Sequence, residues 1–195
     1  LVFGATHLAV ATVLAAFMLG LASGAAWSGR FADRRGRPLR LYGLLELLIG
    51  VYALIFPWLV DGATLLYRQV FAQGDPGRFW WFQAFHLVLM ILVLLLPTAA
   101  MGATFPLLAR FVSERLSMVG RRAGLLYGFN TAGAVLGTAV TGMLLLPALG
   151  VRSTEVLAAF ANIAVGLIAL QWSRGQSEMH SVPEDDLSLH RERAE

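Results

Sequence analysis

The residues best suited to chemistry are a few polar side chains inside long apolar stretches. Glu46 is the most informative of them, because a carboxylate in such a stretch is costly to bury and usually marks an ion pair or a ligand pathway. Two functions suit Glu46, namely capture of a cationic amine and proton coupling. The alternative is an ion pair with a loop arginine, Arg40 or Arg121, with the carboxylate reaching the water interface.

Three further polar residues are candidates for substrate binding or coupling. His86 has no second histidine or carboxylate nearby in sequence, which makes it a poor metal ligand, so we expect a hydrogen-bonded core residue, with proton relay as the alternative. Asn130 and Thr131 lie within one apolar run, where hydrogen bonding between helices is the default. The alternative for both is a polar cavity shared with Glu46.

No catalytic centre is predicted. The chain contains no cysteine, which excludes disulfides, thiolate metal sites and cysteine nucleophiles. It also lacks a Ser/His/Asp set and carboxylates paired at the spacing used by glycosidases. We therefore predict no metal and no cofactor, and a self-contained enzyme is not expected.

The composition indicates a membrane protein. Hydrophobic residues make up 57% of the chain and charged residues 14%, against about 45–50% and about 25% in soluble domains. The apolar residues fall into blocks near the length of a membrane-spanning helix, about 20 residues. Five spans are predicted within a domain covering 1–172, at 6–27, 41–60, 79–112, 123–149 and 156–172. The third exceeds one span and is expected to be a single helix kinked at Pro97.

The distribution of arginine predicts the orientation. Segments 28–40 and 113–122 are rich in arginine, whereas 61–78 and 150–155 are balanced, so the first two are expected on the cytoplasmic side. The polar segment 173–195 would then be a cytoplasmic tail or linker, disordered because it has too little apolar surface to fold. We expect an integral protein of the bacterial inner membrane. Its basic residues would face lipid headgroups, and no nucleic-acid partner is expected.

The basic segment after the first run carries a motif formed by Gly29, Asp33, Arg34, Gly36 and Arg37. It resembles the loop between the second and third helices of major facilitator transporters. The resemblance implies an all-α transmembrane helix bundle like half of such a transporter, with a sixth span missing upstream. It also implies that the acid of the motif helps to lock one conformation through charge pairing. The alternative is a basic loop that only sets topology.

Three longer segments resemble membrane-bound spermidine synthase-like proteins, namely 37–46, 101–110 and 120–137. In that family a transporter-like membrane domain precedes a soluble aminopropyltransferase domain, which is Rossmann-like and binds decarboxylated S-adenosylmethionine. This sequence has no glycine-rich loop after a strand pattern, so aminopropyl transfer cannot be assigned to its residues. The activity would belong to a fused or associated domain.

Three functions are therefore open. The first is a membrane domain of a spermidine synthase-like protein that anchors the enzyme and senses or conducts a polyamine-like cation. The second is half of a major facilitator-type secondary transporter. The third is a structural anchor whose cavity holds no ligand.

Small residues at every fourth position predict close helix packing. In the first run this stripe includes Ala16, Gly20 and Gly24, and we expect it to contact another helix, so that Gly20→Leu breaks the bundle. The fourth run has two such stripes and is expected to pack in the same way: Gly124, Gly128, Ala132 and Gly133, Gly137, Thr141.

Overall fold

The computed structural model describes residues 2–35, 37–71, 79–114 and 119–179, and within these ranges every residue except Arg37 is helical. The elements in chain order are α1 (Val2–Arg35), α2 (Pro38–Phe71), α3 (Phe79–Glu114), α4 (Val119–Val140), a π-helical turn (Thr141–Leu145) and α5 (Leu146–Met179). α3 packs against α1 and α2, and α2 also packs against α5. The all-helical prediction is confirmed for the described residues.

The helices are longer than the apolar runs that predicted them. The basic segment 28–40 was expected to be a loop, but α1 continues to Arg35 and α2 begins at Pro38. Proline is favoured in the first helical turn because its missing N–H has no partner there. The third run forms one helix with Pro97 and Pro106 inside it, which confirms a single helix, and the kink at Pro97 stays a prediction. The polar tail was expected from residue 173, but α5 continues to Met179, and 180–195 lie outside the described residues.

α1 and α3 approach closely through small residues. Ala16 is buried, and a Cβ atom added to Gly20 would meet the hydroxyl of Thr98. A Cβ on Gly24 would meet the backbone carbonyl of Ala99. The predicted contact of this stripe with another helix is confirmed.

A second close approach joins α2 to α5. A Cβ on Gly43 would lie 2.9 Å from the carbonyl oxygen of Gly166, and a Cβ on Gly166 would lie 2.8 Å from the carbonyl oxygen of Gly43. Two turns along α2, a Cβ on Gly50 would lie 2.7 Å from the carbonyl oxygen of Ala159. The sequence did not predict this interface, because Gly43 and Gly50 are seven residues apart and the predicted stripes have small residues at every fourth position.

One hydrogen bond between α2 and α3 replaces a helical hydrogen bond that a proline cannot make. Pro97 has no N–H, so the carbonyl of Val93, four residues earlier, loses its helical donor. The Tyr52 hydroxyl donates to that carbonyl oxygen at 2.6 Å. In a membrane an unpaired carbonyl is costly, so this bond both permits the proline and ties the two helices together.

We expect Tyr52→Phe to lower the free energy of unfolding by about 1 kcal/mol, the usual range for hydrogen bonds between membrane helices. Pro97→Ala restores the N–H at position 97, so Tyr52→Phe should cost less in that background. Melting of the two single variants and the double variant in detergent measures the coupling. Equal costs in both backgrounds would show that Tyr52 does not compensate for Pro97.

α4 departs from the predicted packing. Its described side chains are exposed from residue 124 to 140, apart from half-buried Leu126. Nothing lies within 4 Å of a Cβ added to any of its stripe glycines, which are Gly124, Gly128, Gly133 and Gly137. The expectation that these stripes pack is wrong for the residues the structure describes, because α4 meets α3 near its start and extends away from the other helices.

The helical segment from α4 to α5 bends at Gly150. This glycine has φ 74° and ψ 173°, a conformation outside the helical region, and the Thr154 hydroxyl donates to its carbonyl oxygen at 2.8 Å. The bend falls where the sequence predicted a turn at 150–155. A glycine is required here because other residues rarely adopt this combination of angles.

Three helical stretches in the described residues are long and apolar enough to cross a membrane, namely Pro38–Leu66, Leu87–Val112 and Gly124–Gly175. The apolar part of α1, Val13–Gly29, is shorter. The 52 residues of the last stretch would extend about 78 Å as one straight helix, more than twice the hydrocarbon core of about 30 Å. Gly150 lies near its middle.

Candidate functional site

The candidate site is a cleft of about 290 Å³ between α2, α3 and α4. It is lined by one carboxyl group, two hydroxyls, an amide, three aromatic rings and two leucines, from Glu46, Tyr42, Thr104, Asn130, Phe105, Phe129, Leu108 and Leu126. Its volume lies at the lower end of small-molecule pockets, which are about 300–1,000 Å³. The cleft therefore suits a small ligand.

α2 contributes the acidic wall. Tyr42 and Glu46 are four residues apart, so both project from one face of the helix. The Tyr42 hydroxyl lies near the Glu46 carboxyl, and both side chains are half-buried. Because one hydroxyl donor does not saturate a carboxylate, Glu46 keeps oxygen lone pairs for a ligand.

The other walls come from α3 and the first half of α4. Phe105 of α3 meets Tyr127 of α4 edge to face, with ring centroids 6.3 Å apart, and this contact holds the start of α4 beside α3. Asn130 lies one turn further along α4 and completes the cleft. Since Phe129 and Asn130 are exposed, the cleft is open on the α4 side.

The structure separates Glu46 from the two arginines at the start of α2. Arg37 and Arg40 line a different hollow, and neither is ion-paired with Glu46 in the part of the chain that the structure describes. The predicted alternative of an ion pair with Arg40 is therefore not supported. The side chain of Arg121 lies outside the described residues.

The cleft brings together two of the four predicted binding residues, Glu46 and Asn130. Thr131 is not among the lining residues, and its hydroxyl donates to the Tyr127 carbonyl at 2.9 Å, as a threonine in a helix commonly does. His86 belongs to α3, but its side chain lies outside the described residues.

The motif after the first run is described only in part. Gly29 is exposed, and nothing lies within 4 Å of a Cβ at its position. Asp33 and Arg34 belong to α1, with side chains outside the described residues, and Gly36 is likewise outside. Arg37 is exposed. Charge pairing within this motif stays a prediction.

Two polar residues of the cleft, Tyr42 and Thr104, were not among the residues predicted from the sequence. Tyr42 could have been found from its spacing of four residues to Glu46, which places the two side chains together on a helix. Thr104 carried no such signal, because its place in the cleft depends on how α3 packs against α2. No group of three or more histidine, cysteine or acidic residues that could hold a metal occurs among the described residues.

Comparison of the chain with protein-family models, curated proteins and solved structures gives no match.

Proposed function

We propose that this chain is a membrane domain that binds a small cationic amine of the polyamine type in the cleft at Glu46. The observation that carries the proposal is the carboxylate of Glu46, on an apolar helix and facing a cleft also lined by Asn130 and aromatic rings. A carboxylate at membrane depth is retained where it has a partner or a ligand, and no arginine partner occurs among the described side chains.

The chemistry of the lining supports a protonated amine as the ligand. A carboxylate neutralises an ammonium group, the Asn130 side-chain oxygen accepts one of its N–H donors, and the faces of Phe105 and Phe129 attract cations. Among the described residues that line the cleft, none has a basic side chain that would bind an anion. An amine with two or more ammonium groups separated by methylenes matches this mixture of polar and apolar surface.

We propose that the domain has five membrane spans arranged like half of a major facilitator bundle. It would belong to a spermidine synthase-like protein. The resemblance of 37–46, 101–110 and 120–137 to that family supports it. The bend at Gly150 divides the longest apolar stretch into two lengths that each suit one span. In this arrangement the ends of α1 and α3 that carry Arg30 and Arg110 face the cytoplasm, and any aminopropyl transfer resides in a fused or associated domain.

One observation favours the second candidate, half of a secondary transporter. The glycines of α4 are unpartnered among the described residues, although glycines at this spacing suit close contact with another helix. Additional membrane helices packed on α4 would close the cleft on its open side. The two candidates share the cation site and differ in whether the cation crosses the membrane.

Glu46→Gln tests the proposed site. The substitution keeps the shape of the side chain and removes its charge, so we expect spermidine affinity to fall at least tenfold while the melting temperature changes by little. Equilibrium binding and melting measured on the same detergent-solubilised protein separate the two effects. Asp61→Asn is the matched control, because Asp61 is an exposed acid of the same helix outside the cleft.

Two outcomes would contradict the proposal. Loss of stability without loss of binding would mean that Glu46 has a structural partner, as a buried charge pair would. Unchanged binding and unchanged melting would place the carboxylate at the water interface without a ligand.

A further inference from the structure

A second hollow, of about 340 Å³, lies at the start of α2 and is lined by Arg37, Arg40, Leu41 and Leu44. Arg37 directly precedes α2 and accepts the Leu41 N–H at its carbonyl oxygen, 3.2 Å away, so it continues the helix face that carries Arg40, Leu41 and Leu44. Both arginines are exposed, and neither has an ion-pair partner among the described side chains. The hollow therefore offers two free guanidinium groups directly above apolar surface.

The apolar surface continues along α2 away from the arginines as a stripe of exposed side chains, Leu44, Leu48, Val51 and Ile55. From the first to the last of these is roughly 17 Å along the helix, close to half of the hydrocarbon core, about 15 Å. A different face of α2, with Gly43 and Gly50, carries the contact with α5. The stripe thus has the length of one lipid leaflet and no helix against it in the described structure.

We propose that this face of α2 is a binding site for an anionic phospholipid. Its phosphate would lie between Arg37 and Arg40, and an acyl chain would follow the stripe from Leu44 to Ile55. Guanidinium groups form paired, charge-assisted hydrogen bonds to phosphate oxygens, and basic hollows beside apolar helix surface suit acidic headgroups. This site is separate from the cleft at Glu46 and does not depend on the ligand proposed there.

The local structure favours this use of the arginines. Pro38 and Leu39 are buried, which fixes the first turn of α2 against the rest of the protein. Arg37 and Arg40 on either side of them are held outward. A soluble acidic partner would bind the two arginines and leave the apolar stripe uncovered. A phospholipid contacts the arginines with its phosphate and the stripe with its acyl chain.

The test is lipid selection by the full chain. Protein in mixed micelles with equal amounts of dioleoylphosphatidylglycerol and dioleoylphosphatidylcholine is analysed by native mass spectrometry, and the ratio of the two lipid adducts is measured. The variant is Arg37→Gln with Arg40→Gln. The control is Arg68→Gln, which removes an exposed arginine near the other end of α2. Circular dichroism checks that all variants are folded.

We expect the ratio of phosphatidylglycerol to phosphatidylcholine to fall about 25-fold in the double variant, since each of the two arginines that reach the bound headgroup contributes about fivefold. The control should keep the wild-type ratio. An unchanged ratio in the double variant, or an equal fall in the control, overturns the site. Displacement of phosphatidylglycerol by glycerol 3-phosphate at similar concentration also overturns it, because the acyl contact would then contribute nothing.

Discussion

Gly24→Ala is expected to destabilise the protein by about 1–3 kcal/mol, although alanine is the better helix former. The new methyl group would overlap the backbone carbonyl of Ala99 in α3. Backbone cannot move aside as a flexible side chain can, so α1 and α3 would have to separate. The loss of contact would extend along the stripe that includes Gly20.

The matched control is Gly137→Ala in α4, where nothing lies within 4 Å of the new methyl group. This variant should be neutral or more stable, by at most about 1 kcal/mol, because alanine has the higher helix propensity. Melting temperatures of both variants in the same detergent give the comparison. A Gly24→Ala variant as stable as the wild type would show that α1 does not pack against α3 through this face.

Gly20→Leu should have a larger effect than Gly24→Ala at the same interface. A Cβ at position 20 meets the buried hydroxyl of Thr98, and the remainder of a leucine side chain has no space between the helices. We expect the variant to lose the melting transition of the bundle.

Gly150→Ala is the second substitution with a large expected effect, for a different reason. Nothing lies within 4 Å of a Cβ at this position, so the cost comes from the backbone angles alone. With φ 74° and ψ 173° the residue occupies a region that is almost restricted to glycine, and other residues pay about 1–3 kcal/mol there. A residue that turns helical instead would straighten the bend and pull α5 away from α2.

Gly62→Ala is the control for Gly150→Ala. Gly62 lies in α2, equally open around its Cβ position, and has no positive φ. It should be neutral or slightly stabilising by melting temperature. Equal stability of the two variants would mean that the bend does not need a glycine.

The sequence predicted those features that depend on local pattern. The apolar runs predicted the helices. The stripe of Ala16, Gly20 and Gly24 predicted a close contact of α1 with another helix, which is α3. The run predicted at 79–112 forms a single helix, Phe79–Glu114, in spite of two prolines, because it is continuously apolar. These predictions succeed because the length of an apolar run and the spacing of its small residues are both properties of one continuous segment of sequence.

Features that depend on pairs of helices were not predictable in the same way. Gly43 and Gly166 are far apart in sequence, and only the packing of α2 against α5 brings their backbones together. The stripes of α4 have the same spacing as the stripe of α1 yet meet no helix among the described residues. Spacing indicates that a helix is able to pack closely, but it does not identify its partner.

The candidate site shows the same division. Glu46 was identified from its charge in an apolar segment, and Asn130 from its polarity within another. That the two line one cleft follows from the position of α4 beside α3, which no local pattern contains. Thr131 is adjacent to Asn130 but is not among the lining residues, because successive helical residues point about 100° apart.

The position at which spermidine binds to the protein tests the proposed site most directly. Trifluoromethylphenylalanine is placed at Phe129, in the cleft, or at Phe160, which belongs to α5 and does not line the cleft. Both sites are exposed, at 75% and 58%, so each probe can report a ligand that binds nearby. We predict that spermidine shifts the fluorine resonance at 129 and leaves 160 unchanged, and that Glu46→Gln abolishes the shift. No shift at 129, or equal shifts at both sites, would contradict binding in the cleft.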